Sequence, residues 1–173
     1  MIQIEVVRGN ITKLAVDAIV NAANTALSGG GGVDGAIHRA AGPELMRASL
    51  ALGGCRTGNA KSTPGFALPA KWVFHAVGPV WRGGSHGEAA ALASCYRRCL
   101  ELAAVHDVKT IAFPAISTGI YGFPRQSAAQ IAVRTVKELA DTSGLERVFF
   151  CCFDEDTAKI YEHLLANPNP KAS

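Results

Sequence analysis

The sequence lacks the features that would place it in several large classes. No apolar run approaches the roughly 20 residues needed to span a bilayer. Residues 1–5 (MIQIE) carry neither the basic nor the apolar segment of a secretion signal. A cytoplasmic protein with no membrane partner is expected. The cysteines Cys55, Cys95, Cys99, Cys151 and Cys152 form no CxxC unit, so reduced, mostly buried thiols are expected rather than a disulfide framework. No His and Cys residues stand at zinc-ligand spacing, and no metal is expected. Basic residues outnumber acidic ones only 17 to 14 and are scattered, with no basic stripe and no aromatic platform. That balance suits a small anionic ligand and gives no footprint for nucleic acid. The glycine-rich segments lack the Gly-Lys-Ser/Thr ending of a nucleotide-hydrolysing P-loop, and residues 30–35, although spaced as GxGxxG, do not follow a strand directly as a dinucleotide fingerprint does.

What is present is a chain of 173 residues, 49% hydrophobic, enough for one domain with its own core. Residues 2–8 (IQIEVVR) alternate as a half-buried strand does, and residues 17–22 (DAIVNA), 71–77 (KWVFHAV), 110–113 (TIAF) and 147–153 (RVFFCCF) read as buried strands. Helices are predicted over 33–41, over 43–52 with Pro43 in an early position, over 87–105, from Pro124 onward, and over about 155–165. In the third of these Leu92, Tyr96, Cys99, Leu100 and Ala103 share a face; in the fourth Ala128, Ile131, Ala132, Thr135, Val136 and Leu139 do. Cys95 and Cys99, one turn apart, read as small core residues. Alternating strands and helices imply one α/β domain over residues 1–166, with a largely parallel sheet covered by helices on both faces and a flexible tail at 167–173.

In such sheets ligands bind beyond the carboxyl ends of the strands. Three unusual segments follow strands here: Val20-Asn21-Ala22-Ala23-Asn24 leading through the glycines at 29–32 to Val33 and Asp34; Pro114-Ala115-Ile116-Ser117-Thr118-Gly119-Ile120-Tyr121-Gly122; and Phe153-Asp154. Glycine-rich loops present backbone N–H groups without side-chain obstruction, and the first leads into a helix N-terminus. Both properties suit phosphate oxygens, and a pair of such loops suits a diphosphate. A glycine run alone is also what a plain surface loop contains.

Asn21-Ala22-Ala23-Asn24, the run Gly-Gly-Gly-Gly-Val-Asp-Gly-Ala-Ile-His ending at His38, Val77-Gly78-Pro79 and the segment 113–122 (FPAISTGIYG) resemble the signature of macro domains of the MacroD type. The similarity extends from Ile4 to about Leu165 and is greatest to the bacterial O-acetyl-ADP-ribose deacetylase group. The resemblance implies a three-layer α/β/α sandwich around a mixed sheet of about six strands. It implies ADP-ribose and its O-acetyl esters as ligands, mono-ADP-ribosylated proteins as partners, and no cofactor or metal.

Carried over by position, the resemblance puts adenine near Asn10 and Ile11, above Val20 and against Phe153. It puts the diphosphate between Gly31, Gly32 and Val33 on one side and Ser117, Thr118, Gly119, Ile120 and Tyr121 on the other. Ala22 and Asp154 complete the binding set. The terminal ribose meets Asn24, Asp34 and the Tyr121 ring, with Asn24 orienting a ribose hydroxyl and Asp34 positioning or deprotonating water. Each residue also has a plain structural reading: Asn24 as a turn or cap, Asp34 as a first-turn acid complementing the helix dipole, His38 as a satisfied histidine one turn on, and Phe153 as a core side chain. Asn10 stands where the family usually has aspartate, which bears on adenine recognition. With no Ser/His/Asp constellation and no cysteine beside a base, a bound water is the expected nucleophile. The rival function is a reader that binds ADP-ribose without cleaving it.

Overall fold

The computed structural model describes residues 2–167. Of the tail expected at 167–173, only Asn167 falls within them, where its N–H caps the last helix on the His163 carbonyl at 3.1 Å; the remainder lies outside the described residues. The strands are β1 (Gln3–Arg8), β2 (Ala18–Ala22), β3 (Ala60–Pro64), β4 (Trp72–Ala76), β5 (Thr110–Phe113) and β6 (Arg147–Cys152). The helices are α1 (Gly32–Ala41), α2 (Pro43–Ala51), α3 (Glu88–Val105), α4 (Arg125–Leu139) and α5 (Glu155–Ala166). Among the described residues no helix is long and apolar enough to cross a membrane.

The six strands form one sheet in the order β1-β6-β5-β2-β4-β3, parallel throughout except for β3, which runs antiparallel to β4. This is the mixed α/β/α sandwich. The apolar patterns account for the five parallel strands; β3 is the addition. Its residues AKSTP are polar and end in proline, so nothing in them reads as a buried strand, yet they suit an edge, where Pro64 needs no ladder partner on its open side.

Side chains alternate between two cores, as the pleat requires. Val20, Phe74, Ile111, Phe113, Val148 and Phe150 pack beneath α3, α4 and α5. Ile19, Val73, Ala112 and Cys151 pack beneath α1 and α2 with Ile37 and Leu45. The helical faces read from spacing are buried as expected, with Leu139 only partly so. All five cysteines are free and buried. Burial raises every thiol pKa, that of Cys95 to about 12, so none is poised as a thiolate nucleophile.

The topology makes a crevice. After β2 the chain moves through α1 and α2 toward β3 and β4, whereas after β5 it moves through α4 toward β6. β2 and β5 pair only at Ala18↔Ile111 and Ile19↔Ala112, so their carboxyl ends are not laddered together. A parallel sheet that reverses its winding at one point opens a ligand crevice there.

Candidate active site

Because β1, β6, β5, β2 and β4 are parallel, all the singled-out segments emerge on one edge of the sheet. Asn10 follows β1, Phe153 follows β6, residues 114–122 follow β5, and Asn24 with the glycine loop follows β2. Asn10 and Phe153 are brought side by side by the pairing of Arg8 with Cys152 and by the Gly9 N–H donating to the Cys152 carbonyl at 3.2 Å.

Phe153 is 93% exposed, which removes the core reading and leaves an aromatic face open to a flat ligand. Val20 goes the other way. It has no exposed surface and belongs to the core beneath α3 and α4, because its place in β2 turns it from the crevice. Ile11 is likewise nearly buried, in the opposite core, whereas Ala22 is half-buried. Asn10 caps a short 3-10 turn, Ile11–Lys13, its Oδ1 accepting from the Thr12 N–H (3.0 Å) and Thr12 hydroxyl (2.7 Å). Asp154 caps α5 in the same way, accepting from the Thr157 N–H at 2.7 Å and the Thr157 hydroxyl at 3.1 Å, and also meets Arg125 at 3.7 Å. Those hydrogen bonds, with Arg125 adding to them, hold its carboxyl below the usual range. The Asp154 side chain is thus engaged by the helix it caps while remaining half-exposed.

The segment 114–122 is a tight loop of its own. Thr118 Oγ1 donates to the Ala115 carbonyl, the Gly122 N–H to Gly119, and the Phe123 N–H to Ser117. Ser117 has a φ of 69°, a conformation that side-chain-bearing residues rarely adopt, and its buried hydroxyl finds no partner among the described residues. Gly78 explains how the loop fits: a Cβ there would collide with Ser117 Oγ and Ile116 Cγ2. A brace supports the loop from behind. The Trp81 N–H donates to the Tyr121 carbonyl at 2.8 Å, and the Trp81 ring packs on Phe123. The loop after Trp81 is itself pinned by Glu88, which accepts from the N–H groups of Arg82, Gly84 and His86 at 2.6–2.9 Å. Burial pushes the Glu88 pKa up, but these hydrogen bonds outweigh it and bring it to about 2. Sequence reading missed Glu88; a glutamate opening a helix after a glycine-rich turn was its only signal.

Across the crevice, Gly31 caps α1 with no side-chain hydrogen bond. The first-turn N–H groups of Gly32, Val33 and Asp34 find no acceptor among the described residues, and neither do those of Thr118, Gly119, Ile120 and Tyr121. Neither segment contains Lys or Arg. Two sets of uncommitted backbone donors thus flank the crevice, with the positive end of a helix behind one of them.

Asp34 sits in the first turn of α1 and is 5% exposed. Its Oδ1 accepts from Asn21 Nδ2 at 2.9 Å and lies 3.3 Å from His38 Nε2, while Oδ2 accepts from no described residue. Asn24 is folded back on its loop: Nδ2 donates to the Gly29 carbonyl at 2.9 Å, and Oδ1 accepts from the Ser28 N–H at 3.1 Å. The other amide hydrogen of Asn24 finds no acceptor among the described residues. Tyr121 is half-buried and Ile120 is 95% exposed at the loop tip. Among the described residues no cluster of His, Cys, Asp and Glu could hold a metal ion.

A family model described as Macro domain matches residues 20–132. A macro domain-containing protein of Chlorobaculum tepidum is 62% identical over 164 residues, covering 94% of this chain and 95% of that one. A Salmonella typhimurium protein named O-acetyl-ADP-ribose deacetylase is 56% identical over 168 residues, covering 94% of each. Among solved structures, a mutant macrodomain of Oceanobacillus iheyensis with ADPR superposes with a TM-score of 0.89 at 42% identity, over 94% of this chain and 90% of that one.

Proposed function

This chain belongs to the macro domain family, and from that premise we propose that it is a hydrolase that binds ADP-ribose in the crevice and cleaves bonds made to its terminal ribose. The substrates are O-acetyl-ADP-ribose and mono-ADP-ribose esterified to acidic protein side chains. A fold alone does not specify chemistry. The observation that carries the reading is the carboxylate of Asp34: one oxygen is anchored from behind, and the other is uncommitted.

In this reading the diphosphate lies between the free N–H groups of α1 and those of residues 118–121, and the ribose reaches Asn24, Asp34 and Tyr121. Asp34 Oδ2 accepts a hydrogen bond from a water aimed at the ester carbonyl. The water oxygen bonds to that carbon, the bond from the acyl carbon to the ribose oxygen breaks, and the ribose leaves with a hydroxyl as acetate forms. The other amide hydrogen of Asn24 orients the ribose oxygen. Positioning and electrostatics supply the rate gain, as the buried thiols offer no nucleophile. Reduced thiols also fit a cytoplasmic location.

Purified protein is expected to release acetate from O-acetyl-ADP-ribose and ADP-ribose from a mono-ADP-ribosylated glutamate peptide. ADP-ribose binding by calorimetry with no release of either would instead identify a reader.

A further inference from the structure

Three buried polar side chains lie behind Asp34 on adjacent strands, and none of them reaches the crevice. Asn21 on β2, His75 on β4 and Thr63 on β3 are 0, 0 and 3% exposed. Asn21 and His75 are cross-strand partners on the sheet face that carries α1. Asn21 Nδ2 donates to Asp34 Oδ1 at 2.9 Å and stands 3.2 Å from His75 Nδ1, while His75 Nε2 stands 2.9 Å from Thr63 Oγ1.

The protons can be assigned by elimination. An amide nitrogen has two hydrogens and accepts none, so Asn21 donates to both neighbours. Nδ1 of His75 is therefore the acceptor, and its proton sits on Nε2, donated to Thr63. Burial keeps this ring neutral, lowering its pKa to about 4, and nearby His38 acts in the same sense. Turning the Asn21 amide over would set its oxygen against the Asp34 carboxylate, which can only accept, so the contact to Asp34 fixes the amide orientation and with it the tautomer. The orientation it keeps has a visible cost, since buried Asn21 Oδ1 finds no partner among the described residues. The arrangement favours the donor contact to Asp34 over full satisfaction of the amide.

We infer that His75 is a positioning residue: acting through Asn21, it keeps Asp34 Oδ1 hydrogen-bonded and so leaves Oδ2 directed at the crevice. Thr63 holds the tautomer this requires. The inference rests on the reading of Asp34 given above.

The test is steady-state hydrolysis of O-acetyl-ADP-ribose, with calorimetric ADP-ribose affinity measured on the same preparations. His75→Leu should lower kcat roughly tenfold, the lower end of what loss of an orienting partner does at metal sites. Affinity should stay within about twofold. His75→Asn places an oxygen near the position of Nδ1, so it should recover most of kcat although it is smaller and more polar. A packing role predicts the reverse order. Asn21→Leu should match His75→Leu, and the double variant should lose no more than either, because both act on one contact. If His75→Leu does not fold, Thr63→Val replaces it: the hydroxyl alone is removed, and kcat should fall about threefold with affinity kept.

Unchanged kcat in His75→Leu or its replacement Thr63→Val, His75→Asn no better than His75→Leu, or losses that multiply would each overturn the inference. Asp34→Ala separates the two levels. If it keeps full turnover, the reading of Asp34 falls and the relay with it. If it is inactive while the His75 variants match wild type, the relay alone is rejected.

Discussion

The two ends of the crevice are built in opposite ways. At one end Asp34 is buried at the start of a helix, held by Asn21 and His38, with its loop closed by Asn24. At the other, Phe153 projects almost wholly into solvent and Asn10 is exposed, its oxygen already engaged by Thr12. The buried end is arranged before any ligand arrives, so its groups need little reorganisation when chemistry begins. The open end offers exposed surface, an aromatic face beside a capping amide. Turnover should therefore depend on the first end and affinity on the second, with the glycine-rich loops between contributing to both.

The sharpest way to break that contrast is Asp34→Ala. Turnover should fall by at least about a hundredfold, the scale of a positioned acid–base group, with the fold intact by circular dichroism. Next comes the middle of the crevice. A Cβ on Gly119 meets nothing within 4 Å, so Gly119→Val is expected to fold and to obstruct only a ligand. It should weaken ADP-ribose by about tenfold or more, the equivalent of one lost hydrogen bond to a charged oxygen. Arg125→Ala removes only a half-exposed ion pair with Asp154 and should change affinity less than about fivefold. The opposite order in calorimetry would mean that side-chain charge holds the diphosphate.

Phe153→Ala should weaken ADP-ribose by about fivefold to tenfold, at the low end of ~1–3 kcal/mol for base stacking, and leave kcat at saturation unchanged. A fall in kcat equal to the loss of affinity would dissolve the division between the ends. The smallest effect belongs to Asn10→Asp. A carboxylate can keep the cap on Thr12 with one oxygen and offer the other to an adenine amine as a charge-assisted acceptor, so ADP-ribose should bind about threefold tighter. The amide of Asn10 can also donate, so the unaltered protein should tolerate the inosine analogue better, relative to ADP-ribose, than Asn10→Asp does. Equal discrimination would show that residue 10 does not touch the base.

The sequence made the parallel strands and the helices legible because they carry strong apolar periods, and the glycine loops because their composition is rare. β3 was not legible: an edge strand with polar residues and a terminal proline has no period to read, and only its neighbour β4 makes it a strand. In the candidate site the backbone donors and Asp34 could be read locally, because they sit within one motif. The orientation of Asp34 could not, since Asn21, His75 and Thr63 meet only through a pairing of β2 with β4 and β4 with β3. Val20 shows the same limit in reverse. Its place in the motif points to the ligand, whereas the pleat of β2 turns it into the core.

Under the relay inferred above, the unpaired oxygen of Asn21 would set heat resistance and turnover against each other. A buried acceptor that finds no partner among the described residues lowers the stability of the folded chain, and apolar residues of similar shape in place of Asn21, His75 and Thr63 together would remove that burden. A lineage or library selected for survival at high temperature alone would drift toward such replacements, and its members would outlast the parent while losing turnover. Polar residues retained at these positions in a thermally hardened population would mark selection for the reaction itself.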